Sequence, residues 1–203
     1  MKSPMRVIAG TYRSRILKSL KGLKLRPTSD RLRETLFNVL SPNVVGARLA
    51  DLFAGTGAIG IEALSRGASE VVFIENHKPA VALIRKNLDS LGIRSGFTVL
   101  PVDVLRGLET LTSRKTGANS QFDLVFLDPP YAAAVDYARV LEFLGSADLL
   151  APGCMVVAEH HRKFDLPEKV GALRRFRVLK QGDAALSFYR RGDVTASENG
   201  SAE

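Results

Sequence analysis

Short apolar runs alternating with amphipathic segments constrain this chain more than any other feature of its sequence. Residues 48–53 (RLADLF), 71–75 (VVFIE), 97–100, 122–127 and 155–159 are near-continuous apolar runs with the length of buried strands. Helical patterns stand between them. Residues 59–66 are stopped by Gly67, and residues 77–91 carry Val81, Ile84, Leu88 and Leu91 along one face with Gly92 after them. Residues 104–111 and 135–144 complete the series. Strands apolar on both faces, each followed by a helix, predict an α/β fold with a mostly parallel sheet covered on both sides. Residues 173–180 and 184–190, around Gln181-Gly182-Asp183, read as a C-terminal antiparallel hairpin. Upstream, Thr28-Ser29-Asp30 supplies N-caps for a helix that places Leu32, Leu36, Val39 and Leu40 at helical spacing, and Ser41-Pro42-Asn43 ends it. Residues 113–121 predict a polar loop.

A chain of 203 residues with 45% apolar and 25% charged side chains excludes wholesale disorder and fits one domain with a small appendage. No apolar run approaches the roughly 20 residues of a membrane helix. The first residues lack the apolar core of a secretory signal. One cysteine, Cys154, excludes an internal disulfide framework and a Cys-rich zinc site, and with three histidines no metal is expected. The expected location is the cytoplasm and the default state a monomer.

The charge is uneven. Residues 1–33 hold ten Lys/Arg and one acid, Asp30, a balance of +9, whereas the remaining residues carry −1. A localised cationic segment is the footprint of a polyanion partner. A merely solvated N-terminus stays open as the plainer reading. An anionic membrane fits less well, since these cations do not segregate onto one helical face. Residues 1–40 are therefore expected to form a basic extension of hairpin plus helix, 41–191 the main domain and 192–203 a frayed tail.

Ligands of parallel sheets bind beyond the carboxyl ends of the strands. After the first strand comes Asp51-Leu52-Phe53-Ala54-Gly55-Thr56-Gly57-Ala58-Ile59-Gly60, in which Gly55, Gly57 and Gly60 fit G-x-G-x-x-G, and Glu75 closes the next strand. Glycines let the backbone turn tightly against a ligand, and an acid at that spacing accepts hydrogen bonds from ribose hydroxyls. That pattern alone equally announces NAD. After the third strand, Asp103 and Val104 put a carboxylate and an apolar side chain where an adenine could sit, or simply cap a helix. After the fourth stand Asp128-Pro129-Pro130-Tyr131. Two prolines fix the backbone and leave carbonyls without neighbouring N–H groups. The Asp128 carboxylate and the Pro129 carbonyl could accept both hydrogens of an exocyclic amino group, turning its lone pair towards an electrophile, with Tyr131 stacked on the base. The histidines need no chemistry: His77 opens a helix, and His160-His161 at a strand end are expected to be partly exposed.

DLFAGTG followed by DPPY resembles the amino-methyltransferase branch of S-adenosylmethionine-dependent enzymes. RVIAGTYRSRIL and LRPTSDRLRETLFNVL are similar to the RsmD family, which methylates guanine N2 in 16S ribosomal RNA. The likeness runs from about Met5 to Arg190. It implies a Rossmann-like class I methyltransferase fold, S-adenosylmethionine as cofactor, S-adenosylhomocysteine as product and ribosomal RNA, within a small-subunit particle, as partner. By that resemblance Asp51, Gly55, Gly57, Glu75 and Asp103 fall on cofactor-binding positions, with Phe53, Ala54, Asn76 and Val104 completing the set. Asp128, Pro129, Pro130 and Tyr131 fall on the catalytic motif. Arg6, Arg13, Arg15, Arg26, Thr28 and Arg31 are the candidate RNA contacts, expected to be separable from cofactor binding. Ser14 stands where the family's R-G-R has glycine, and Ser29 where threonine is frequent.

Other classes stay in view. Adenine-N6 methyltransferases share DPPY but carry a separate target-recognition region, for which this chain has no room. Protein glutamine methyltransferases favour Asn where this chain has Asp128. An NAD-dependent oxidoreductase leaves DPPY and the basic lead unexplained. A non-catalytic RNA-binding protein on a methyltransferase fold would not need the intact loops.

Overall fold

Ser29 starts the first helix as the spacing predicts: its Oγ accepts the Leu32 amide at 3.2 Å, and α1 (Asp30–Leu40) buries Leu32, Leu36, Phe37 and Leu40. The computed structural model describes residues 4–19, 29–113, 120–130 and 134–192. The order continues β1 (Arg48–Leu52), α2 (Ala58–Ser65), β2 (Glu70–Ile74), α3 (Lys78–Leu91), β3 (Phe97–Leu100), α4 (Val104–Ser113), β4 (Phe122–Leu127) and α5 (Ala134–Ser146). Then come β5 (Leu150–His161), β6 (Lys169–Val170), β7 (Leu173–Gln181) and β8 (Ala184–Arg191). One eight-stranded sheet results, in the order β3-β2-β1-β4-β5-β8-β7-β6. Strands β1 to β5 pair in parallel, and β8, β7 and β6 add antiparallel strands at one edge.

Two apolar layers sandwich this sheet. One packs α1, α2 and α3 with Val7 and Leu17 of the N-terminal segment on Leu49, Phe73, Phe126 and Phe188. The other sets Leu108 of α4 and Val140, Leu141 and Leu144 of α5 on Leu52, Val125 and Val156. The basic lead thus shares the core of the sheet. Its two arms meet in an antiparallel bridge between Arg6 and Ile16, with Val7 N donating to the Arg15 carbonyl and Leu17 N to the Met5 carbonyl, both at 2.9 Å.

Two expectations change. Strand β5 runs twelve residues, because Leu150 already pairs with Phe122 before an irregularity between Phe122 and Leu124 lets the ladder resume at Met155. His160 is buried, not partly exposed. The strand extends to pair His161 with Ala184, and the His160 Nε2 sits 2.8 Å from Ser187 Oγ. Burial chiefly holds its pKa below the ordinary value.

Ser14 has φ of 67°, a left-handed conformation at the turn of the N-terminal hairpin. That is the physical reason glycine suits the position. Ser14→Gly is expected to stabilise the fold by about 0.5–1 kcal/mol, the left-handed penalty less the extra chain entropy of glycine. A denaturant midpoint that falls in the variant would contradict this.

Candidate active site

Four strand ends lie side by side. Leu100, Ile74, Leu52 and Leu127 share one register level across β3-β2-β1-β4. Asp103, Glu75, the 53–57 loop and Asp128 therefore follow one another along the carboxyl edge, at steps of about 4.8 Å between strands. From β1 the chain crosses to β2 on one side while β4 lies on the other. In open parallel sheets such a switch point is where ligands bind, here between the glycine loop and Asp128.

The loop is built from backbone. Phe53, Gly55 and Gly57 have φ of 59°, 54° and 75°. Ala54 N donates to the Ile74 carbonyl at 3.1 Å and Gly57 N to the Ala54 carbonyl at 2.7 Å, closing a tight turn into α2. A Cβ on Gly60 would stand 2.2 Å from the Phe73 ring, so only glycine lets α2 lie this close to β2. Ala54 is buried and Phe53 half-buried beside the turn.

Glu75 is clamped. Its Oε2 accepts the Gly55 amide and its Oε1 the His77 amide, each at 2.8 Å. A carboxylate oxygen keeps a second lone pair, so the fixed group can still accept from a diol. Asn76 follows it, exposed. Asp103 is exposed and its Oδ1 accepts Leu105 N at 3.0 Å, so it caps α4, whereas Val104 turns its side chain into the core. Asp128 is half-buried, Pro129 buried and Pro130 exposed; Tyr131 lies outside the described residues.

Asp51 is 2% exposed at the base of the loop, with its Oδ2 accepting Gly60 N at 3.0 Å. Burial, opposed by that amide and reinforced by the negative Glu75, pushes its pKa up to about 8. A pyrophosphate would aggravate two neighbouring carboxylates; an ammonium or sulfonium would relieve them. Because the folded pKa lies above the unfolded one, Asp51 costs stability progressively as pH rises from about 4 to about 8. Asp51→Asn is expected to keep the Gly60 bond and to gain thermal stability over the parent protein across that window. A melting-temperature difference independent of pH would contradict the assignment.

Of the candidate RNA contacts, Arg6, Arg13, Arg15 and Arg31 are exposed, and Arg26 and Thr28 lie outside the described residues. Arg6, Arg13 and Arg31 line one cleft of about 410 Å³ with Ser14 and Asp30. Arg15 Nη2 donates to the Ser90 carbonyl at 3.3 Å. Arg33, counted in the cationic lead, is fully buried and donates from Nη2 to the Arg6 carbonyl and to Asp30. It is a strut, not a surface charge.

A family model described as Conserved hypothetical protein 95 matches residues 5–190. The chain belongs to that family. Among its relatives, the ribosomal RNA small subunit methyltransferase D of Haemophilus influenzae is 40% identical over 191 residues, covering 93% of each chain. The Escherichia coli K12 protein of the same name is 33% identical over 187 residues, 92% of this chain and 90% of its own. The solved yhhF protein of Escherichia coli matches 92% of this chain and 97% of its own, with a TM-score of 0.78 and 30% identity.

In this member of the Conserved hypothetical protein 95 family, the lead is pinned by polar residues that belong to no motif of the sequence. Glu62 of α2 accepts the Ile8 and Ala9 amides at 2.7 and 3.0 Å, and Ser65 Oγ accepts Tyr12 N and donates to the Ala9 carbonyl. Asn87 of α3 accepts Lys18 N at 2.8 Å and donates at 3.1 Å to both the Lys18 and the Thr56 carbonyls. Thr56 belongs to the glycine loop and its Oγ1 also lies 3.8 Å from Met5 Sδ. Lead and loop, expected to be separable, are therefore in contact. The signal was legible: a Glu inside the apolar run AIGIEAL needs a buried partner.

Proposed function

We propose that the protein transfers the methyl group of S-adenosylmethionine to the exocyclic N2 of a guanine in small-subunit ribosomal RNA. The observation that carries this reading is the placement of Asp128-Pro129 beside a glycine loop flanked by two carboxylates. Those carboxylates fit the cofactor's cationic amino-acid end and ribose, with Glu75 fixed for the diol and Asp51 beneath the turn. Asp103 and the start of α4 border the adenine end. S-adenosylmethionine held there would supply an electrophilic methyl carbon to the amino nitrogen, with S-adenosylhomocysteine as the leaving product.

The chain's own groups then have a positioning task. The target base leaves its stack, since a stacked base cannot enter such a crevice. The Asp128 carboxylate and the Pro129 carbonyl accept the two N2 hydrogens and aim the nitrogen lone pair along the crevice. Once nitrogen carries the methyl group it is acidic, and its surplus proton leaves through Asp128 to water. The names of the relatives support ribosomal RNA as substrate, and the exposed arginines of the lead supply phosphate contacts. A monomer acting on an assembled particle completes the proposal.

The experiment is methyl transfer from labelled S-adenosylmethionine to small subunits and to naked small-subunit RNA from cells lacking the protein, followed by nucleoside mass spectrometry. N2-methylguanosine is the expected product. N6-methyladenosine would move the reading to the adenine branch, and no transfer to either substrate would overturn it.

A further inference from the structure

The basic lead is not the only cationic ground on this protein. Residues 162–191 hold nine Lys/Arg against three Asp/Glu, a second excess, and the fold gathers part of it around an exposed ring. Phe176 is 46% exposed, and it is the aromatic member of the three exposed large apolar side chains among the described residues. The β7–β8 register shifts between Arg175 and Arg177, so Phe176 is the extra residue of a bulge and Arg177 faces Phe188. Bulges re-aim side chains. Here Phe176 comes onto the face of Phe188, at 6.2 Å between ring centroids, and Arg177, which simple alternation would place on the other face, joins it. Arg190 lays its guanidinium 4.4 Å over the Phe176 ring, and Arg174 pairs with Arg190 across the ladder.

The neighbouring Arg175 shows what a structural arginine looks like here. It is held by Asp165, by Glu168 and by the Leu166 carbonyl. Among the described residues no acid pairs with Arg174, Arg177 or Arg190. Exposed aromatic rings interleaved with unpaired arginines are a platform for unpaired bases and their phosphates.

We propose that the bulged end of the β7–β8 hairpin is a second RNA contact, in which an unpaired base takes the place of the Arg190 guanidinium on the Phe176 ring and the displaced Arg190 joins Arg174 and Arg177 on its phosphates. This rests on the reading of RNA as substrate. Phe188 shares its packing layer with Leu32 and Phe37 of α1, so the platform and the lead lie on one face of the sheet. In the order β4-β5-β8-β7 it stands three strands from Asp128 and a few residues lower, roughly 15 Å across and 10 Å down. One folded RNA can therefore touch lead, crevice and platform together.

The test is a binding titration of the full chain with a fluorescein-labelled fragment of small-subunit ribosomal RNA at several salt concentrations. Phe176→Ala is expected to weaken binding about 5- to 150-fold with an unchanged salt slope, since stacking releases no counterions. Arg190→Ala is expected to flatten the slope by about 0.7–0.9. Phe176→Trp should keep the affinity, and Phe176→Leu, which retains cover for Phe188 without a stacking face, should not. Unchanged affinity in Phe176→Ala and Arg190→Ala, while Arg13→Ala/Arg15→Ala weakens binding, would overturn this inference alone. Full rescue by Phe176→Leu would also overturn it. A parent protein that binds no RNA would instead bring down the reading beneath it.

Discussion

Asp128→Ala is expected to lower the rate of methyl transfer by about 10²–10³-fold or more while S-adenosylmethionine affinity stays within about twofold. The asymmetry follows from where the residue stands. It leaves β4 at the level where Phe53 leaves β1, whereas the groups assigned to the cofactor follow β1, β2 and β3. In the proposed mechanism its carboxylate acts on the amino group as the nitrogen turns from planar to pyramidal, an interaction stronger in the transition state than in the bound ground state. Asp128→Asn keeps an acceptor oxygen without the charge, so it should retain a measurable part of the rate and separate orientation from charge. Single-turnover transfer with saturating RNA, beside calorimetry for the cofactor, checks both arms. A folded Asp128→Ala protein with near-normal turnover would remove this residue from the chemistry.

The strand ends were legible because apolar runs and glycines report backbone requirements directly. Gly57 has φ of 75° and Gly60 touches Phe73 because only glycine fits there, and both are readable as spacing. The buried polar struts were less legible, because burial of a charge depends on partners far away in sequence. Glu62 reaches Ile8 and Ala9, and Asn87 joins Lys18 to Thr56, separations that periodicity does not contain. Charge counting failed in the same way. It placed Arg33 among the surface cations and averaged away the excess on residues 162–191, since a sum ignores which side chains the fold turns inwards. The bulge that presents Phe176 is a one-residue slip in ladder register, and no residue type announces it.

Glu62→Ala is expected to destabilise the protein by about 3–5 kcal/mol, the range for removing one partner from a buried, charge-assisted cluster. Glu62 is fully buried and accepts three hydrogen bonds, from the Ile8 and Ala9 amides and from Arg66 Nε at 2.7 Å. Alanine strands two backbone donors, each costing about 1–3 kcal/mol when left unpaired. It also withdraws the negative charge that, with Asp30, opposes the burial-driven lowering of the Arg33 pKa. Arg33 has no other ready relief, since its Nε and Nη1 find no acceptor among the described residues. The loss is local as well as global, because the amides that Glu62 holds belong to the segment that carries Arg6 and Arg13 into the cleft proposed for RNA. Trypsin should therefore cut within the lead at lower denaturant than it cuts the sheet, and RNA affinity should fall before cofactor affinity does. Glu62→Gln conserves volume and one acceptor but turns an amide donor towards another donor, so an intermediate loss is expected if the variant with alanine fails to fold. A urea midpoint unchanged in both variants would show that the lead is held by the burial of Val7 and Leu17 in the shared core, and not by this carboxylate.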